Sequence, residues 1–213
     1  KQTPNMASDK NEPNNSKTPT KKTYLALGDS YTIGESVDEQ ERWPVLLQKA
    51  LDDSLQPPKI IAKTGWTTSE LNEAIDNEKI KETYDLVSLL IGVNNQYRGE
   101  AKGFTTENYE KEFAGLLDRA IGFAGNDENK VFVVSIPDYS VVPFAKDSDT
   151  TKIRLELEVY NAIAKKISES KNVRFLDITP ISQEAKTDST LVAPDGLHPS
   201  GIMYKRWIDE VIL

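Results

Sequence analysis

Residues 23–32 read T-Y-L-A-L-G-D-S-Y-T. An apolar run, 24–27, stops abruptly at Gly28 and is followed by three polar or small-headed residues. The run has the length of a strand and lacks the alternation of a half-exposed one, so it reads as a strand covered on both faces. Four similar runs follow, at 59–62, 86–91, 131–136 and 173–178, each bounded by Gly, Pro, Asp or Lys.

Helical periodicity fills the intervals. Trp43, Leu46, Leu47, Ala50, Leu51 and Leu55 recur at steps of three and four, with Pro44 suited to a first turn. Tyr109, Phe113, Leu116, Leu117, Ala120 and Ile121 repeat the pattern. So do Ile153, Leu157, Tyr160, Ala164 and Ile167, and finally Met203, Trp207, Ile208, Val211 and Ile212. Strands alternating with helices predict an α/β domain with a parallel sheet covered on both faces. In such sheets, sites form beyond the carboxyl ends of the strands. Three polar clusters stand there: GDSYT (28–32), AKTGWTT (62–68) and GVNNQ (92–96). A fourth, DGLHPSG (195–201), opens the last helix.

Composition narrows the chemistry. The 213 residues include no Cys and a single His. Disulfides, iron–sulfur clusters, Cys-ligated zinc and His-rich metal sites are therefore excluded. The net charge is −8 although the first 22 residues are basic on balance. The rest is more acidic still and repels phosphate backbones, which argues against nucleic acid as a partner. No apolar run is long enough for a transmembrane helix.

Residues 1–22 are rich in Lys, Asn, Pro, Ser and Thr and poor in large apolar side chains. This composition predicts a disordered polar tail ahead of a domain spanning 23–213. Such a tail resembles the tether of an exported bacterial lipoprotein, periplasmic or surface-anchored. Export is the expectation it supports, with a cytoplasmic location as the alternative.

A serine hydroxyl is a weak nucleophile that needs a base, and His198 is the one imidazole present. Asp195 precedes it by three residues, a spacing that lets a carboxylate reach the ring from the same turn and fix its tautomer. The backbone N–H groups of Ser30 and Gly65 and the side-chain amide of Asn94 are candidate donors to an oxyanion. Singly, each cluster has an ordinary structural reading. Ser30 could be a helix cap, Gly65 a residue at positive φ, Asn94-Asn95 a turn, and Asp195 a cap beside a helix entry. Their order along the chain, three of them just after predicted strands, points to a joint site.

Those four blocks resemble the GDSL, or SGNH, hydrolase family over residues 23–213. The matching residues are Ser30 in GDSYT, Gly65 in KTGWTT, Asn94 in GVNN and His198 in DGLHP. Tyr31 stands where an aliphatic residue is usual, and Asn95 where Asp is frequent. The resemblance implies a three-layer α/β/α sandwich with a five-stranded parallel, flavodoxin-like sheet. It implies Ser30 as nucleophile, His198 as base held by Asp195, and an oxyanion hole of Ser30, Gly65 and Asn94. No metal or cofactor is implied. The GxSxG elbow of classical α/β-hydrolases is absent.

The substrate is less legible. Tyr31, Trp66, Tyr97 and Tyr139 flank the site loops, and Val142 and Phe144 lie in the apolar part of a long loop, 136–150. These six are candidates to line the substrate cleft, the loop walling its acyl side. Three functions remain open at this level. One is an esterase for short or medium acyl chains, including acetylated carbohydrate. The second is a lysophospholipase or thioesterase for longer chains. The third is a non-catalytic binding domain on the same fold.

Overall fold

The computed structural model describes residues 21–51 and 54–212. The expected disordered tail lies outside the described residues except for Lys21 and Lys22. Lys22 is already paired, forming an isolated parallel bridge with Leu55.

All five expected strands are present: β1 (Tyr24–Gly28), β2 (Lys59–Ala62), β3 (Leu86–Leu90), β4 (Val131–Val134) and β5 (Arg174–Leu176). They form one parallel sheet in the order β2-β1-β3-β4-β5. β1 and β4 are buried along their whole length, as strands covered on both faces must be.

The helices are α1 (Ser30–Ile33), α2 (Trp43–Ala50), α3 (Thr68–Glu78), α4 (Val93–Arg98), α5 (Thr106–Phe123), α6 (Thr150–Ser170), α7 (Thr179–Gln183) and α8 (Gly201–Trp207). Because parallel crossovers are right-handed, a strand order that reverses after β2 sends helices to opposite faces. α2 accordingly packs with α8, while α3 and α6 both pack on α5. Trp43 of α2 meets Phe132 of β4 edge-on, and Tyr109 of α5 meets Tyr160 of α6 with ring centroids 4.5 Å apart. This is the three-layer α/β/α sandwich expected from the sequence.

Local differences have local causes. The first helix pattern extends to Leu55, but α2 stops at Ala50, and Leu55 turns back to bridge Lys22. The last helix continues past Trp207 as a π-turn, Ile208–Ile212. α3 carries only Leu71 and Ile75 as large buried side chains, so its apolar stripe is thin. A capping box, Thr67 with Glu70, starts it instead.

The turn from β1 into α1 depends on Gly28. A Cβ there would stand 2.2 Å from Thr32 Oγ1 and 2.5 Å from the Leu90 carbonyl oxygen on the neighbouring strand. Gly28→Ala is therefore expected to destabilise the fold by about 2–3 kcal/mol, a fall of roughly 4–12 °C in Tm. Thermal denaturation checks this, and an unchanged Tm would show that the strand and helix can separate at little cost.

Candidate active site

The strand order reverses at β1, which has β2 on one side and β3 on the other, and this reversal opens a crevice at their carboxyl ends. The predicted residues gather there. Ser30 follows β1, Gly65 follows β2, Asn94 follows β3, and His198 arrives from the segment ahead of α8. Ser30, Gly65, Asn94 and His198 all line one cleft of about 150 Å³.

Ser30 is the first residue of α1 and is buried. It does not cap that helix. The cap is Asp29, whose Oδ1 accepts from the Tyr31 N–H at 3.0 Å, and the Ser30 side chain is left without a capping duty. Asp29 is itself fully buried, and Oδ2 has no partner among the described residues. Burial pushes its carboxyl up to about 7, against the pull of the Tyr31 N–H.

His198 is buried, and its Nδ1 lies 2.5 Å from Asp195 Oδ2. The same carboxylate oxygen accepts from the Ser36 hydroxyl at 2.8 Å. Oδ1 accepts from the backbone N–H groups of Leu197 (2.9 Å) and His198 (3.0 Å). Asp195 is not the cap of α8, a place taken by Ser200; one of its oxygens orders the 195–198 turn and the other faces the imidazole. Partial burial raises the Asp195 carboxyl. The bonds from His198, Leu197 and Ser36 outweigh this and hold it at about 2. It is ionised at any ordinary pH.

Gly65 adopts φ +89°, and nothing lies within 4 Å of where a Cβ would stand. The glycine is needed for its backbone conformation, since the space beside it is open. The N–H groups of Ser30 and Gly65 have no acceptor among the described residues. Asn94 Nδ2 donates to the Trp66 carbonyl at 2.9 Å, which fixes the amide and leaves its second N–H available.

The Gly65 loop is tied to α4 at further points. Asn95 Oδ1 accepts from the Thr68 N–H at 3.0 Å while its Nδ2 donates to Thr68 Oγ1 at 2.7 Å. Arg98 donates to the Gly65 carbonyl at 2.7 Å and pairs with Glu70 at 3.1 Å. The pair Asn94-Asn95 is therefore helical, and its amides rivet one loop to the next. Thr64 hydrogen-bonds to Glu35, joining the Gly65 loop to the turn that carries Ser36.

Of the six cleft candidates, Tyr31, Tyr97, Tyr139 and Phe144 line the cleft, with Thr64, Val93 and Leu197 added. Tyr31 packs edge-on against the His198 ring at 5.7 Å, so an aromatic residue is accommodated beside the imidazole. Trp66 and Val142 are not among the residues that line the cleft. Trp66 packs half-buried against the core, and its carbonyl accepts from Asn94. Val142 is buried and lines a smaller space shared with Tyr31, Tyr139 and His198, because the loop 136–150 folds into two short 3-10 turns, Tyr139–Val141 and Pro143–Ala145.

Sequence reasoning missed Ser36, Asn95 and Arg98. Arg98 follows Asn94 by one helical turn and shares its face, a relation readable only once α4 is known to be a helix. Ser36 carried no sequence signal.

Comparison with known proteins agrees with this fold. A family model described as the GDSL-like Lipase/Acylhydrolase family matches residues 26–206. An acetylxylan esterase, Axe2 from Geobacillus stearothermophilus, has a similar structure at a TM-score of 0.66 and 21% identity, over 87% of this chain and 91% of that one. Esterase EstA from Pseudoalteromonas sp., solved inhibited by monoethylphosphonate, matches at 0.63 and 18%, over 89% and 93%. TesA matches at 0.63 and 18%, over 88% and 94%. No curated protein matches in sequence. Among the described residues no helix is long and apolar enough to cross a membrane.

Proposed function

The chain belongs to the GDSL-like lipase/acylhydrolase family, and from that premise we propose that it hydrolyses carboxylic esters of short acyl chains through an acyl-enzyme on Ser30. The observation that carries the reading is the contact of His198 Nδ1 with the ionised Asp195, in a ring that shares its cleft with Ser30. With Nδ1–H directed at the carboxylate, Nε2 holds the lone pair and acts as base.

Ser30 Oγ attacks the ester carbonyl carbon while Nε2 takes the hydroxyl proton. The carbonyl oxygen becomes an oxyanion and accepts from the N–H groups of Ser30 and Gly65 and from Asn94 Nδ2. The carbon–oxygen bond to the alcohol breaks, and the alcohol leaves with the proton from Nε2. Water then attacks the acyl-enzyme, gives its proton to His198, and the acid departs as Ser30 regains its own. Arg98 and Asn95 act through the loop they hold and touch no reacting atom.

Cleft size supports the short acyl chain. A space of about 150 Å³ accommodates a group the size of benzene. A dodecanoyl chain exceeds it, which disfavours the lysophospholipase and thioesterase readings. On p-nitrophenyl esters, kcat/KM should be highest for acetate or butyrate and lower by about tenfold or more for dodecanoate, a loss of about 1.4 kcal/mol in the transition state. Phe144→Ala should shift the optimum to a longer chain, whereas Val142→Ala should not. A wild-type optimum at dodecanoate would overturn the short-chain reading.

A further inference from the structure

Beside the cleft runs a second groove, much larger, of about 620 Å³. Tyr97 and Tyr139 line both, so the two spaces meet at these rings. We propose that this groove binds an oligosaccharide as the alcohol part of the ester, so that the enzyme removes short acyl groups from a glycan. The proposal rests on the esterase reading above and adds the substrate class.

A small acyl cleft leaves the bulk of the substrate to be held elsewhere, and the groove is the adjoining space. Its chemistry mixes aromatic faces with hydrogen-bonding groups. Tyr97 supplies an exposed ring and Phe104 a half-buried one, and Glu100, Asp149 and Glu156 supply carboxylates. Sugars present C–H faces that stack on rings and hydroxyls that bond to carboxylates and amides. An acyl chain would instead need a continuous apolar wall, since it would desolvate these charges without replacing their bonds. The lining carries two cationic residues, Arg98 and Lys152, and three acidic ones, Glu100, Asp149 and Glu156, so the groove holds no excess of positive charge for an anionic headgroup.

The rim is also built for stacking. Tyr97 is 60% exposed and Phe144 46% exposed, with their ring centroids 6.0 Å apart, an uncovered aromatic pair at the cleft mouth. The wall between the spaces is fixed in advance. Tyr139 Oη donates to Gln96 Oε1 at 2.9 Å, and Gln96 Nε2 donates to Glu156 at 2.7 Å. Fixed side chains lose little freedom when a ligand arrives. In the reaction, the bond from acyl carbon to sugar oxygen breaks, the sugar hydroxyl takes its proton from His198, and water later releases the acid.

Ala101 and Val159 are exposed, line the groove and lie outside the cleft, so Ala101→Trp and Val159→Arg should fill it without touching the reacting atoms. Wild-type kcat/KM per acetyl group should be about tenfold higher on O-acetylated cellotetraose than on an O-acetylated methyl glucoside, about 1.4 kcal/mol of added binding. Both variants should lose that gain while turnover of p-nitrophenyl acetate stays within about twofold of wild type. Calorimetric titration with unacetylated cellotetraose should show binding to wild type and none to Val159→Arg. Equal rates on the two sugars, with p-nitrophenyl acetate cleaved, would overturn the groove's role. So would a gain that survives both variants, or a groove-dependent gain on a lysophospholipid instead. Failure to cleave p-nitrophenyl acetate would overturn the esterase reading, and the titration would still decide the glycan site.

Discussion

Ser30→Ala is expected to lower kcat on p-nitrophenyl acetate by about a million-fold, with KM little changed. The size of the effect follows from what the hydroxyl alone does. On the proposed mechanism it forms and breaks the bond to the acyl group, and Ser30 is the one serine among the described residues that line the cleft. The substitution leaves the remaining parts in place. Asp29 keeps its cap on α1 because the bond runs to the Tyr31 N–H. The backbone N–H of residue 30 survives, and alanine suits a first helical turn. Residual rate above water therefore reports the oxyanion donors and binding. Thermal denaturation should show an intact fold, and labelling by a fluorophosphonate should vanish. A variant within about tenfold of wild type would move the nucleophile elsewhere.

Asp195→Asn should cost about ten-thousand-fold in kcat while leaving the fold nearly unperturbed. The carboxylate has two duties on two oxygens. Oδ1 accepts from the Leu197 and His198 backbone, and an asparagine Oδ1 can continue to do so. Oδ2 accepts from His198 Nδ1 and from Ser36. An amide NH₂ in its place donates, so the imidazole must present a lone pair at Nδ1 and carry its proton on Nε2. That is the wrong tautomer for a base. The Ser36 hydroxyl can rotate to accept, which preserves the turn. Since the wild-type carboxyl is held at about 2, no acid limb of the pH–rate profile above about pH 4 belongs to Asp195. A loss smaller than about tenfold would show that the imidazole is oriented by something else.

The sheet was legible because each strand is short, apolar and closed by a turn residue. Four helices were legible because their apolar stripes are wide. α3 escaped because only two of its large side chains are buried, and the Thr67–Glu70 capping box was the signal that remained. α4 escaped because Gly-Val-Asn-Asn reads as a turn until Asn95 is seen bonding to Thr68. At the candidate site, Ser30, Gly65, Asn94 and His198 are marked by residue type, and the structure brings all four to one cleft. Asp195 is marked by its spacing, and it bonds to His198. Trp66 and Val142 do not line that cleft, because proximity in sequence to a site loop says nothing of which way a side chain faces. Ser36 and Arg98 reach their partners across long sequence separations, and such pairs leave no local trace.

The bond between Ser36 and Asp195 joins residues 159 positions apart. During synthesis Ser30 is made first, and Asp195 and His198 follow only after all five strands have been made. A chain ending after β5 carries Ser30, Gly65 and Asn94 and lacks Asp195 and His198. On the proposed mechanism such a chain holds no base, so hydrolysis is withheld until the segment carrying those two residues rests against the turn that follows α1.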